Sequence, residues 1–387
     1  MNRLLDQYIR NDSERDKAYM TDKLAAVFAT RASKHDLEGS FPFENFNDLR
    51  AAGYLSLTVP QAYGGQEISL YELALLQERL AYGDGSTALA VGWHLGQILH
   101  LRGNEKWPGE KFATFCESVV QHGTMINTFA SEAATGSPSR GGRPKTTATN
   151  AEGGWLISGR KTFSTLSPIL DLFVVTAYVP DEDCVAEFLV HRTERVHLIE
   201  TWDTIGMRAT GSHDVVLDKV FVPHNDRLPA KGKDDGGGWL LHIPACYMGI
   251  AIAARDYALK FSRTYTPRSI GATISTLPTV QQSIGEMEAK LRTARSLLYA
   301  TADRWDQEVE HRPELKPDLG LAKYVVTNSA IQVVDLAMRI VGGTSLSRQS
   351  PLERYYRDVR AGLHNPPMEN TVLQQLATDA LSEDMQG

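Results

Sequence analysis

Residues Thr128–Ser137 read T-F-A-S-E-A-A-T-G-S and, after a polar loop, Trp155–Thr165 read W-L-I-S-G-R-K-T-F-S-T. The second run has strand character. Trp155, Leu156 and Ile157 precede a Ser158-Gly159 pair that reads as a turn, and Phe163 follows it on a second strand. The first run leads into a small-residue loop, Ala133–Ser139, whose N–H groups and hydroxyls suit a bound ligand. The residues alone fit both an ordinary hairpin with a polar loop and a ligand-facing loop.

The pattern on either side differs. Residues 1–122 carry apolar stripes at helical spacing, as in S-L-Y-E-L-A-L-L-Q-E-R-L-A, where Ser69 and Glu72 form a capping-box pair. Pro60 and Gly64-Gly65 punctuate a turn before it. Residues 123–230 turn β-rich, with D-L-F-V-V-T-A-Y-V and H-D-V-V-L-D-K-V-F-V-P. The G-K-D-D-G-G-G run then reads as a flexible connector. From 237 to 387 the helical period returns, and Gly342-Gly343 stops one long helix. Helices, a β-block and helices again predict an α+β fold of three domains, 1–122, 123–230 and 237–387.

The chain has 387 residues, 42% hydrophobic and 22% charged, enough for several large cores. A formal net charge of −7 argues against a nucleic-acid surface. Cys116, Cys184 and Cys246 lack paired spacing, so neither a metal site nor a disulfide framework is expected. The N-terminus has no secretory h-region, and no uninterrupted apolar run approaches the roughly 20 residues of a membrane span. The expectation is a cytoplasmic enzyme.

Ser131, Glu132, Gly136, Ser137, Ser158, Gly159, Lys161, Phe163, Ser164 and Thr165 fall on the pattern T-E-P-x-A-G-S-D … N-G-x-K-x-(W/F)-(I/S)-(T/S). This resembles the flavin-binding β-domain of the acyl-CoA dehydrogenase family. G-Y-L-S-L-T-V-P-Q-A-Y-G-G, T-I-G-M-R-A-T-G-S-H-D-V and I-V-G-G-T-S-L-S-R-Q-S-P-L-E-R-Y-Y-R-D-V-R resemble three further stretches of it. The resemblance implies an N-terminal helical domain, a middle β-barrel or sheet domain, and a C-terminal four-helix bundle. It also implies FAD, an acyl-CoA substrate, electrons leaving to an electron-transfer flavoprotein, and a homo-oligomer, dimer or tetramer.

By that resemblance, Phe129, Ala130 and Ser131 lie along the flavin pyrimidine edge. Ser137 approaches the pyrophosphate and the substrate. Phe163 is an aromatic wall, with Ser164 and Thr165 near N5. Gly342 and Gly343 meet the flavin of a neighbouring subunit. Arg208 contacts substrate or ties the β-domain to a helix, with Thr210 and Ser212 orienting its loop. Arg263, Arg268 and Gln281 are the candidates for the pyrophosphate end, where the family motif is altered.

The catalytic base of the family falls on Asn365-Pro366 when counted without a gap, and on Glu369 when three residues are inserted. A carboxylate there takes the α-proton of a thioester. A branch of flavin monooxygenases on the same fold lacks the base and uses hydroxyls and histidines; Ser164, His94 and His364 fit it, with reduced FMN or FAD supplied by a flavin reductase. A third alternative is a non-catalytic flavin-binding relative.

Overall fold

A computed structural model describes residues 3–133, 135, 142–230 and 232–383. Five helices come first: α1 (Asp12–Glu38), α2 (Phe43–Ala51), α3 (Leu70–Gly83), α4 (Gly85–Asn104) and α5 (Gly109–His122). Their starts are set by side chains that satisfy otherwise unpaired N–H groups. Asn11 Oδ1 accepts from the Glu14 N–H at 2.9 Å. The Ser69–Glu72 capping box is present in both directions. Asp84 accepts from the N–H groups of Ser86 and Thr87 and so starts α4 directly after α3.

The sheet follows: β1 (Ile126–Phe129), β2 (Thr147–Ala151), β3 (Gly154–Lys161), β4 (Leu172–Val179), β5 (Cys184–His191), β6 (Val196–Ile199) and β7 (Asp214–Pro223). Strand order is β1-β4-β2-β3-β7-β6, with β5 paired to β4 off this path. β1 lies parallel to β4, which places the end of β1 beside the buried centre of the sheet.

The expected turn at Ser158-Gly159 is not there. β3 runs through it with a register shift between Ile157 and Gly159. A Cβ on Gly159 would stand 2.3 Å from Thr146 Oγ1, so the glycine serves a close approach within a strand. The hairpin turn is Glu152-Gly153, where Gly153 takes φ +78° and Ala151 pairs Gly154.

The C-terminal helices are α6 (His242–Thr264), α7 (Pro278–Gln307), α8 (Lys316–Val341), α9 (Pro351–Arg360) and α10 (Glu369–Glu383). α6, α7 and α8 pack on one another, and Gly342 at φ +72° ends α8 as expected. The stretch Val309–Leu346 containing α8 is long and apolar enough, by length and composition, to cross a membrane; here most of its apolar face is buried in the bundle. α3 is buried nearly all round, between α1 and α6. Its Glu78 pairs Arg295 of α7 at 2.8 Å, with both side chains at 0% exposure.

The Gly-rich connector is tied down rather than flexible. Asp235 is buried, its Oδ2 accepts from His100 Nδ1 at 2.8 Å, and its carbonyl accepts from Trp305 Nε1 at 2.7 Å. Its glycines admit backbone against Arg312 and Trp305 where any Cβ would collide.

Candidate functional site

After Lys161 the chain leaves the sheet because Phe163 and Leu166 adopt left-handed φ of +55° and +69°. That region is disfavoured for residues with a Cβ, so surrounding bonds must hold it. Thr162 N–H donates to Ser131 O at 3.0 Å, and Ser164 N–H to His213 O at 3.2 Å. Leu166 N–H donates to Thr210 O, and Ser167 to Gly211 O through both N–H and Oγ. Asn127 Nδ2 reaches Thr165 O at 3.1 Å. The 162–167 loop is thereby fastened to β1 and to the loop before β7.

This fastening turns Phe163 outward. Its ring is 68% exposed, edge-on to Trp202 at 5.8 Å. A large apolar ring held outward on strained backbone contributes nothing to the core, and it suits a planar ligand stacking on it. Beside it, Thr165 Oγ1, Ser212 Oγ and Thr210 Oγ1 form a hydroxyl chain with links of 2.8 and 2.7 Å. Ser164 points the other way: it is fully buried, and its Oγ has no partner among the described residues. Thr165, not Ser164, is therefore the hydroxyl on the open side.

A crevice of about 250 Å³ opens between β1, α4 and the Gly238–Leu241 turn. Trp93, Gln97, Thr128, Ala130 and Trp239 line it. Thr128 Oγ1 donates to Gln97 Oε1 at 2.8 Å. The only carboxylate among its described lining residues, Glu187, is held by Lys106. Behind the two tryptophans lies His242, whose ring nitrogens have no partner among the described residues; burial pushes its pKa down to about 3, so it is neutral.

The sequence-derived site residues do not all meet. Phe129 is buried against Phe173, so only its backbone can face a ligand, while Ala130 and Ser131 are half-buried. Ser137 lies outside the described residues, as does Gly136. His94 is a core residue: Nε2 donates to Leu55 O at 3.1 Å, Nδ1 accepts from the Ile126 N–H at 3.2 Å, and exposure is 0%. Both nitrogens are committed to backbone, which removes it from the expected catalytic group.

Arg208 donates to Asp36 O, Asp203 and Thr204 O, and so ties α1 to the middle domain. His364 is exposed and Glu369 half-buried at the head of α10. Asn365 accepts from the Tyr247 hydroxyl. Arg263, Arg268, Gln281, Gly342 and Gly343 are all exposed, away from the crevice lining. Sequence reasoning missed Trp93 and Gln97, which sit on an α4 so buried that no polar face marks one side.

Three family profiles match the chain in order: "Acyl-CoA dehydrogenase, N-terminal domain" at residues 15–107, "middle domain" at 127–220 and "C-terminal domain" at 241–365. "Putative acyl-CoA dehydrogenase YdbM" of Bacillus subtilis (strain 168) is 48% identical over 377 residues, covering 96% of this chain and 98% of that protein. L-evernosamine nitrososynthase of a Micromonospora species is 31% identical, covering 89% and 85%. The solved structure of KijD3 with FMN and a dTDP-linked amino sugar superposes with a TM-score of 0.84 at 25% identity, covering 97% and 95%. The helical, sheet and helical layers with this loop platform define a flavin-binding oxidoreductase fold. The chain belongs to the acyl-CoA dehydrogenase family.

Proposed function

We propose that the chain is a flavin-dependent monooxygenase that takes reduced FMN or FAD from a separate reductase and oxygenates a small, largely apolar substrate. One observation carries this reading. Dehydrogenation of a thioester needs a carboxylate at the α-carbon, and no unpaired carboxylate lines the flavin-side crevice among the described residues. The ungapped base position holds Asn365, already engaged by Tyr247.

Bound flavin supplies the redox chemistry. The chain supplies the surroundings. Phe163 would stack on one face of the ring, backbone at Ala130 and Ser131 would meet its polar edge, and the Thr165 hydroxyl would stand beside it. Trp93 and Trp239, which line the crevice, would exclude water from the reacting side. Neutral His242 adds no charge there. The Gln97–Thr128 pair offers the substrate a polar anchor. Exposed Gly342, Gly343 and Leu346, the last at 73%, support a homo-oligomer in which this turn and the exposed Arg263 and Arg268 complete a neighbour's flavin site.

The dehydrogenase reading is favoured by the name of the 48% identical relative. There Glu369 would be the base and an electron-transfer flavoprotein the acceptor. An anaerobic titration of flavin-loaded protein with a panel of acyl-CoAs separates the two. Bleaching by any acyl-CoA overturns the monooxygenase reading. No bleaching, with a slow two-phase return of the oxidised spectrum when pre-reduced protein meets oxygen, supports it.

A further inference from the structure

A second cavity, of about 320 Å³, lies between α8, α10, the 234–241 segment and the end of α4. Leu240, Leu241, Leu319 and Val372 make much of its wall apolar. Lys323 of α8 also lines it and is only 2% exposed. No hydrogen bond or ion pair joins its ammonium to a described residue, and Nζ is not among the fully buried side-chain atoms. The residue is buried apart from the face it turns to this cavity, and an ammonium there without a protein acceptor offers its charge to an anion entering the cavity.

Four other charged or titratable groups line the cavity: His100, Asp234, Asp235 and Lys316. On the connector, Asp235 is bound by His100 from α4 and by the Gly237 N–H, and Asp234 accepts the Gly236 N–H. His100 in turn meets Asn104 through Nε2. Lys316 is exposed at the start of α8. Glu369 at the head of α10 acts on Lys323 through its field alone. Burial lowers the Lys323 pKa to about 8 against that field, so the amine is charged at neutral pH and loses its proton in mild alkali.

We propose that this cavity binds a small molecule with an apolar body and an oxyanion end, a carboxylate or its like, which pairs with Nζ of Lys323. Against a largely apolar wall a charge-assisted bond is strong, and a neutral isostere leaves the ammonium unpaired. The site is separate from the flavin platform, although His100 lines both volumes. The proposal stands whichever redox reaction the flavin serves.

The test is calorimetric titration of the full, flavin-loaded chain with straight-chain carboxylates, from butanoate to decanoate, and the matching alcohols. At neutral pH at least one acid binds about tenfold or more tighter than its alcohol. That preference disappears in Lys323→Met and in Lys323→Gln, and in the wild type it fades as pH rises above about 8. No binding of any acid, equal binding of acid and alcohol, or a preference that survives both substitutions overturns the proposal. If neither variant folds, the wild-type pH series decides: a preference unchanged up to about pH 9.5 overturns it.

Discussion

Nζ of Lys161 lies 2.8 Å from Oε1 of Glu132, with both side chains out of solvent. Glu132 also accepts from the Lys145 N–H and from the N–H and hydroxyl of Thr146, while Lys161 reaches Thr176 O at 2.7 Å. One buried pair thus joins both ends of the ligand loop to β3 and β4. Replacing Lys161 by Met leaves a buried carboxylate without its cation, at a cost of about 3–5 kcal/mol. A urea melt reads this directly, and flavin affinity falls with it because the loop loses its anchor.

The same pair sets an acid limit. Burial alone would raise the Glu132 carboxyl, but the bonds from Lys161, Thr146 and Lys145 outweigh it and hold it below its ordinary value. Burial lowers Lys161, and Glu132 offsets only part of that. A lowered carboxyl stabilises the fold above its unfolded pKa, and this stabilisation is lost as pH falls through its folded value. Melting curves below about pH 4.5 therefore flatten in Glu132→Gln relative to wild type.

Phe163→Ala separates ligand binding from folding. The ring touches little of the core, so thermal unfolding of the flavin-free protein changes by no more than about 0.5 kcal/mol. Flavin affinity drops by about tenfold, the scale of one lost stacking partner, and fluorescence titration with FMN and FAD checks it.

Asp358 works in the opposite sense from Glu132. It is buried, accepts from the Met207 N–H at 2.7 Å, and is pushed up to about 7 by burial, with Arg354 and that N–H opposing. The folded state therefore holds a proton that the unfolded chain releases. Stability falls as pH rises from the ordinary carboxylate range to about 7, and stays reduced above it. Asp358→Asn keeps the acceptor oxygen without the ionisation. It should be more stable than wild type at about pH 8 by about 1–3 kcal/mol, and the gap should narrow toward pH 5.

His94→Phe distinguishes bracing from catalysis. It strands Leu55 O and the Ile126 N–H and costs about 2–4 kcal/mol. Turnover per folded, flavin-loaded molecule and its pH profile stay as in wild type. Burial lowers His94 to about 4, so charging it also weakens the wild-type fold as pH drops below about 6.5.

The sequence was legible where chemistry is local. The Ser69–Glu72 box and the stop at Gly342 depend on residues within a turn of each other, and both stand as read. Phe163 was read onto a strand, and the left-handed backbone that takes it off the sheet had no local signal. Misreadings came where a residue's role depends on a distant neighbour. Gly159 looks like a turn until Thr146 is seen against it. The connector looks loose until Trp305 and His100 hold Asp235. Arg208 had two readings, a ligand contact or a tie to a helix, and only the Asp36 carbonyl on α1 shows the tie. Lys323 gave no signal at all: within α8 it is one lysine on a long helix, and only the cavity sets it apart.

The Glu78–Arg295 pair has a bearing on how the chain is made. Its partners are 217 positions apart, in the first and last thirds of the protein. While a ribosome is still producing the sheet, α3 has emerged with a carboxylate and apolar faces that nothing yet covers. The early helices therefore wait, unfinished, until α6 and α7 are released. Helper proteins that shield nascent chains have their work at that interval, and a gene cut before α7 should yield aggregate in place of a smaller soluble domain.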